Sequence, residues 1–432
     1  MFKGLKYGLT LLATCALFAG CQRASLVPEG ETQPGEKVYT GCIPQNPDKI
    51  VKMYIDLPKD TEPGDIIKQD WTQNAKVHIN ATVNGVTSTV YSTEGVKIKG
   101  HGNSTWSTYP KKPYTIKLPE QANFIGTGKT KRWVLLANWM DRTCIRNDVA
   151  FEVARQSSIV WTPSGTYVEL YLNGEYNGLY FMCEKVHVEG SHFTCDYMYS
   201  YDISDSNEHD FDTQYGHWNN ATKEGEIPVE LKYPDRDNYA ATEFNQVLKE
   251  AKKKLYSVED AIMRGGKPSS VLDLDSICDW FLIYEVFCNN EPKFPKSTFY
   301  IYKDGKLQAG PVWDFDYGTF TPDHHTLTLM SSLYYYQLWT HPEFKKHLLH
   351  RWEILKPIFK GMGSYIDQQA NLIREAEARN HEMWPCYPNP LSEEGDGKVN
   401  GDELLTFDQA ITRMKTALAQ RIEDVNAELN RL

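Results

Sequence analysis

Hydrophobic and polar positions alternate at strand spacing through the first third of the chain. VKMYIDL (51–57), KVHINATV (76–83), STVYST (88–93) and GVKIKGHG (95–102) carry this pattern, followed by PYTIKLP (113–119) and RWVLLANW (132–139). The period then changes to that of a helix over Arg146–Gln156. TYVELYLNGEYNGLYFMCEKV (166–186) reads as a hairpin turning at Asn173-Gly174, because a two-residue turn with both φ positive favours Asn-Gly. IPVELKYP (227–234) closes an irregular stretch rich in Asp, His and Asn.

The second half changes character. An amphipathic helix is predicted over Phe244–Met263, and another starting near Asp273 with Ile277, Trp280, Phe281, Tyr284 and Phe287 at helical spacing. That stripe reads as core. A second hairpin, STFYIY-KDGK-LQAGPV (297–312), turns at Asp304-Gly305, and the tail from Ser331 is helical with a break near WPCYPNP (384–390). EEGDGKVNGDE (393–403) lacks the alternating acids of a calcium loop and reads as a solvated loop.

At 432 residues and 41% hydrophobic, the chain is long enough to bury a large core. A net charge of −11 argues against nucleic acid as the main partner, since phosphate backbones reward basic surfaces. The N-terminus has Lys3 and Lys6, an apolar run from Leu9 to Ala19, then Gly20-Cys21. That run is too short to span a bilayer and reads as an export leader over residues 1–20. The box before Cys21 resembles a bacterial lipoprotein cleavage site, which makes Cys21 the expected lipidated residue and lipid the membrane anchor. Residues 21–48, rich in Pro and Gly, read as a tether, and residues 49–432 as one domain with halves of about 49–240 and 241–432. The cysteines after Cys21 are odd in number and lack C-x-x-C spacing, so no zinc framework is expected and disulfide pairing stays open. Neither a G-x-S-x-G elbow nor histidines at metal-ligand spacing occur.

The chemistry concentrates in two segments, NNEPKFPK (289–296) and GPVWDFDYG (310–318). The hairpin between them runs out and back, so Glu291 and Asp314 are expected at the same end of a two-stranded unit. Paired acids at a strand end suit a hard cation that carries phosphate. WDFD read alone is also compatible with a turn capped by an Asx side chain.

Three stretches, VKIKGHGNSTW with YPKKPYTIKL, LYLNGEYNGLYFMCEKV, and KSTFYIYKDGKLQAGPVWDFDYG, resemble the CotH (spore-coat protein H) family of atypical protein kinases. The resemblance spans about residues 50 to 425. It implies an α+β chain with a divergent two-lobed kinase-like fold, strand-rich first and mainly helical afterwards. It also implies ATP as phosphate donor, Mg2+ or Mn2+, and a surface or secreted protein as acceptor. By motif, Asp314 matches the metal-binding acid, with Asp316 a further candidate ligand. Glu291 stands where the family has its catalytic Asp, and its extra methylene shifts the carboxylate enough to matter for catalysis. Lys111, Lys112 and Lys117 lie where a phosphate-clamping lysine is expected, although three lysines this close also describe a solvated face. Asn103, in GHGNSTW, is a candidate nucleotide neighbour, and Glu184 is a ligand candidate or a structural salt-bridge partner. Two other classes stay open: an inactive scaffold, favoured by Glu291, and a glycan-processing enzyme using Glu291 and Asp314 as its acid pair.

Overall fold

The computed structural model describes residues 41–188, 193–202, 209–218, 223–224, 227–322 and 324–432. The leader, Cys21 and most of the tether lie outside these residues. The strands are β1 (Val51–Asp56), β2 (Thr72–Val83), β3 (Val86–Gly100), β4 (Tyr114–Ala122), β5 (Thr130–Leu136), β6 (Gly165–Leu172) and β7 (Glu175–Glu184) in the first half. Then come β8 (Tyr197–Tyr201), β9 (Phe211–Asp212), β10 (His217–Trp218), β11 (Lys223–Glu224), β12 (Pro228–Tyr233), β13 (Thr298–Lys303) and β14 (Lys306–Ala309). The α-helices are α1 (Ser104–Thr108), α2 (Arg146–Arg155), α3 (Ala241–Met263), α4 (Leu274–Val286), α5 (Tyr335–Leu338), α6 (Pro342–Met383) and α7 (Phe407–Leu429). The mixed class and the division into a strand-rich first half and a helical second half are as expected.

The first seven strands close into a barrel of order β1-β2-β3-β4-β5-β7-β6. Closure is made by β1, which pairs antiparallel with β2 and parallel with β6. Alternation decides the two faces. Met53, Ile79, Ile98, Ile116, Trp133 and Met182 fill the interior. Tyr167, Phe181 and Cys183 point outward and join the core shared with the helices. Two runs read as separate strands, 88–93 and 95–102, are one strand with a bulge. Gly95 at φ +73° sits there, where partners step from Thr93 to Val96 against Val77 to Ala75. The extra residue breaks the two-residue period, which is why the pattern reads as an interruption.

The second large sheet has the order β14-β13-β8-β12-β9. It is built from both sides of residue 240, so the boundary expected there falls between strands of one sheet. Its β13–β14 hairpin turns at Asp304 (φ 51°) and Gly305 (φ 79°), and the barrel's β6–β7 hairpin at Asn173 (φ 49°) and Gly174 (φ 84°). Both turns are as the sequence predicts, because positive φ at both positions matches the strand twist.

Helix α4 lies at the centre of the helical half. Asp273 caps it by accepting from the Ser276 amide at 2.9 Å, and its apolar residues are buried nearly all round. α6 and α7 pack against it, and α7 opens with a capping box between Thr406 and Gln409. Among the described residues no helix is long and apolar enough to cross a membrane.

Candidate functional site

The two acid-bearing segments meet as the hairpin geometry predicts, and Asn289 joins them. Asn289 is fully buried just past α4. Its Nδ2 donates to the Asp314 carbonyl at 2.8 Å, and its Oδ1 accepts from the Glu291 amide at 3.1 Å. One carboxamide thereby fixes Glu291 relative to Asp314. Neither residue type nor spacing singles out Asn289, since its role lies in a contact 25 positions away.

The WDFD loop is held on every side. The Trp313 amide donates to the Tyr284 hydroxyl at 3.2 Å, and the Phe315 amide to Asn147 Oδ1 at 2.8 Å. Phe315 is buried against Tyr284 and Phe287. With Phe315 pulled inward, the alternating acids Asp314 and Asp316 are left for the site. Asp314 adopts φ 64°, a left-handed conformation in which Asp is among the better-tolerated residues. Its Oδ2 accepts from the Ser297 hydroxyl at 2.8 Å.

These acids stand in one another's fields. Burial pushes Glu291 well above its ordinary range, and the charges of Asp314, Asp316 and Asp202 push it further, opposed by Lys296. Burial also raises Asp314, with Asp202 adding to the rise, and the Ser297 hydrogen bond and Lys296 opposing it. Asp316 is pushed up to about 8, first by burial and then by Asp314 and Asp141, against Arg146. Like charges in a low-dielectric site suppress one another's ionisation. Glu291 Oε2 and the neighbouring Asn290 Oδ1 are sealed from solvent without a hydrogen-bond partner. Asp202, at the end of β8, belongs to this group and is not marked by any motif in the sequence.

Unpartnered oxygen atoms and excess negative charge fit a divalent cation. No three His, Cys, Asp or Glu side chains among the described residues converge closely enough to hold one alone.

The lysines read as phosphate clamps do not meet these acids. Lys111 is buried, and its Nζ donates to the Ala137 carbonyl at 2.7 Å and to the Leu179 carbonyl. The same ammonium lies 4.3 Å from the Tyr180 ring centroid, and burial lowers it to about 7. Lys112 donates to the Trp106 carbonyl at 2.6 Å. The cation whose field reaches Glu291 and Asp314 is Lys296. Glu184, paired in register with the interior Trp133, is also spent locally. Its carboxylate accepts from Thr127 Oγ1 at 3.1 Å and from the Ser164 amide at 3.0 Å, and burial raises it to about 7.

Lys117 belongs to a different group, on the outer face of β3, β4 and β5. Lys185 is lowered to about 8 by burial and by Arg132, Lys232 and Lys99. His101 falls to about 3 through burial and the fields of Lys185, Lys68 and Lys99. His187 falls to about 4 through burial and Arg132, with Lys185 and Lys117 contributing. Asn103 joins this face, its Oδ1 accepting from Lys68 Nζ. Asp235 offsets part of the charge through a 3.0 Å pair with Arg132. Trp313, next to Asp314, touches this cationic face. Its ring centroid lies 6.2 Å from that of His101.

The segment read as solvated, Glu393–Glu403, is only partly so. Its first residues are exposed, whereas Asn400, Asp402 and Glu403 are buried. Asp402 pairs with Arg146 at 2.5 Å, and Arg146 with Asp141 at 2.5 Å. Partners more than 250 residues away anchor this segment, so its local composition gave no sign of burial.

A family model described as CotH kinase protein matches residues 97–424, well over half of the chain. A comparison with curated proteins gave no match.

Proposed function

The chain belongs to the CotH kinase protein family, and with the leader-like N-terminus ending at Cys21 we propose that it is a lipid-anchored, extracytoplasmic kinase. It transfers phosphate from ATP to a serine or threonine hydroxyl of a surface or secreted protein. The observation that carries this reading is the meeting of Asp202, Glu291, Asp314 and Asp316, of which Asp316 is buried and the others half-buried, with Lys296 opposing the acids' mutual repulsion at Glu291 and Asp314. In this reading the barrel half supplies a cationic wall and the helical half the acids, the division of labour of a two-lobed kinase.

Asp314 and Asp316 would hold Mg2+ or Mn2+, which when bound neutralises charge on the β- and γ-phosphates. Lys185, Lys99 and Arg132 offer cationic groups for phosphate oxygens, and Lys117 lies among them. Glu291 receives the acceptor's proton as its oxygen bonds to the γ-phosphorus and the bridging P–O bond breaks, releasing ADP. For this Glu291 must be ionised, a form that Lys296 favours and that a bound cation would favour further. Cys21, outside the described residues, carries the lipid in this reading.

A second reading is a catalytically inactive binding module. The observation in its favour is Glu291 itself, raised well above the ordinary carboxylate range by burial and by Asp314, with its Oε2 closed off without a hydrogen-bond partner. Incubation of the mature protein with γ-labelled ATP, Mn2+ and casein separates the two. The kinase reading expects label on protein, lost in Asp314→Asn and kept or increased in Glu291→Asp. ATP binding without transfer in either the native protein or Glu291→Asp supports the binding module.

A further inference from the structure

The buried end of the 393–403 segment reaches the metal-binding loop through a single side chain. Asn400 is 1% exposed, and all its hydrogen-bonding capacity on that side is directed across the molecule. Its Nδ2 donates to the Asp316 carbonyl at 2.9 Å and to the Met140 carbonyl at 3.0 Å. Its Oδ1 accepts from the Gly318 amide at 2.8 Å. The carboxamide therefore closes around Tyr317, gripping the backbone one residue before and one after it. It ties that turn to the segment following β5.

We infer that Asn400 is a positioning residue that fixes the backbone of Asp316 and so sets the cation affinity of the site. This inference rests on the kinase reading above. The chemistry at this position is restrictive. Two donors and one acceptor are needed from one planar group, so Asp lacks the donors, Ala and Leu supply nothing, and Ser is too short to make all three bonds. The support behind Asn400 is itself ordered. Glu403 accepts from the amides of Val399 and Asn400, the latter at 2.7 Å, and Arg413 donates to the Asn400 carbonyl at 3.3 Å. Gly401 follows at φ 75°, and a Cβ there would stand 2.6 Å from the Arg413 guanidinium. Asp402 offers a control within the same segment. It is equally buried, but its side chain pairs with Arg146 and makes no bond to the WDFD loop.

Outer-shell partners of metal ligands typically alter affinity by about 10- to 100-fold when removed. The test is calorimetric titration of Mn2+ into the full mature protein at fixed ATP, comparing native protein, Asn400→Leu and Asp402→Asn, with thermal unfolding recorded for each. The expected result is a Mn2+ requirement raised about tenfold or more in Asn400→Leu. Asp402→Asn is expected to lower the melting temperature and keep the native Mn2+ requirement. An unchanged requirement in Asn400→Leu overturns the inference, and so does an equal rise in Asp402→Asn, which would make the effect one of general stability. If Asn400→Leu does not fold, Asn400→Ser is judged by the same criterion. Native protein that shows no Mn2+-dependent ATP binding instead overturns the kinase reading on which the inference rests.

Discussion

Two kinds of buried charge occur in this molecule, and they are treated in opposite ways. In the helical core Glu285 is fully buried but answered. Arg421 donates to its Oε2 at 2.7 Å, and the amides of Thr328 and Leu329 donate to Oε1 at 2.7 and 2.6 Å. Asp279 is likewise held by a bidentate Arg351, whose Nε and Nη2 donate to its two oxygens at 2.8 and 2.6 Å. Glu291 and Asp314, half-buried, and Asp316, buried, have no guanidinium paired with them among the described residues. Burial raises Glu285 too, but Arg421 and the two amides pull it back, whereas Glu291 is raised further by its neighbours. A compensated carboxylate holds elements together. An uncompensated group costs stability and persists where something else is to be bound.

That contrast can be broken deliberately. The largest expected effect is at the compensated site. Arg421→Met leaves Glu285 buried beside an apolar side chain, and chemical denaturation should show a loss of about 3–5 kcal/mol. Adding Glu285→Gln should recover part of it. At the uncompensated site the stability effect reverses. Asp314→Asn relieves like-charge repulsion and retains an acceptor for Ser297, so the melting temperature should hold or rise. Metal-dependent ATP binding should meanwhile fall sharply, because hard cations depend on anionic oxygen ligands. A fall in stability like that of Arg421→Met would place Asp314 among the structural acids.

Lys111 sharpens the comparison from the cationic side, as a buried ammonium offered only two carbonyls and a ring. Its folded pKa, about 7, lies below the ordinary 10.5. Between those values the unfolded chain binds a proton that the folded protein does not, so stability rises with pH across that window and is level below it. The stability of native protein relative to Lys111→Met should therefore rise from pH 7 to pH 10, by at most about 1.4 kcal/mol per unit. A difference independent of pH would show that Lys111 titrates normally.

The sequence made some of this visible and not the rest, for a physical reason. Hairpins at Asn173-Gly174 and Asp304-Gly305, and helices over α2, α3 and α4, follow from local backbone preference and periodicity. The meeting of Glu291 and Asp314 was legible because a hairpin is a local rule that returns the chain to its start. Barrel closure by β1 was not, since its pairing with β6 joins Val51 to Val168. Nor were Asn289 and Asn400, whose side chains act at positions 25 and 84 residues away. Lys111 and Lys112 lie in the expected run, but backbone carbonyls take them up: Ala137 and Leu179 for Lys111, Trp106 for Lys112. The cations whose fields act on His101 (Lys185, Lys68 and Lys99) come instead from separate parts of the chain, and composition alone does not gather them.

A phosphate-bound cation at Asp314 is expected to displace protons from the acids around it. With Asp316 raised to about 8 and Glu291 raised further by its neighbours, cation binding should favour the ionised forms and expel protons near neutrality. Calorimetry of Mn2+ with ATP binding to the mature protein at pH 7, repeated in buffers of different ionisation enthalpy, reads this directly. The account predicts net proton release, tighter binding at pH 8 than at pH 6, and loss of both in Asp314→Asn. Binding heat independent of buffer with affinity flat in pH, or no Mn2+-dependent ATP binding at all, would contradict it.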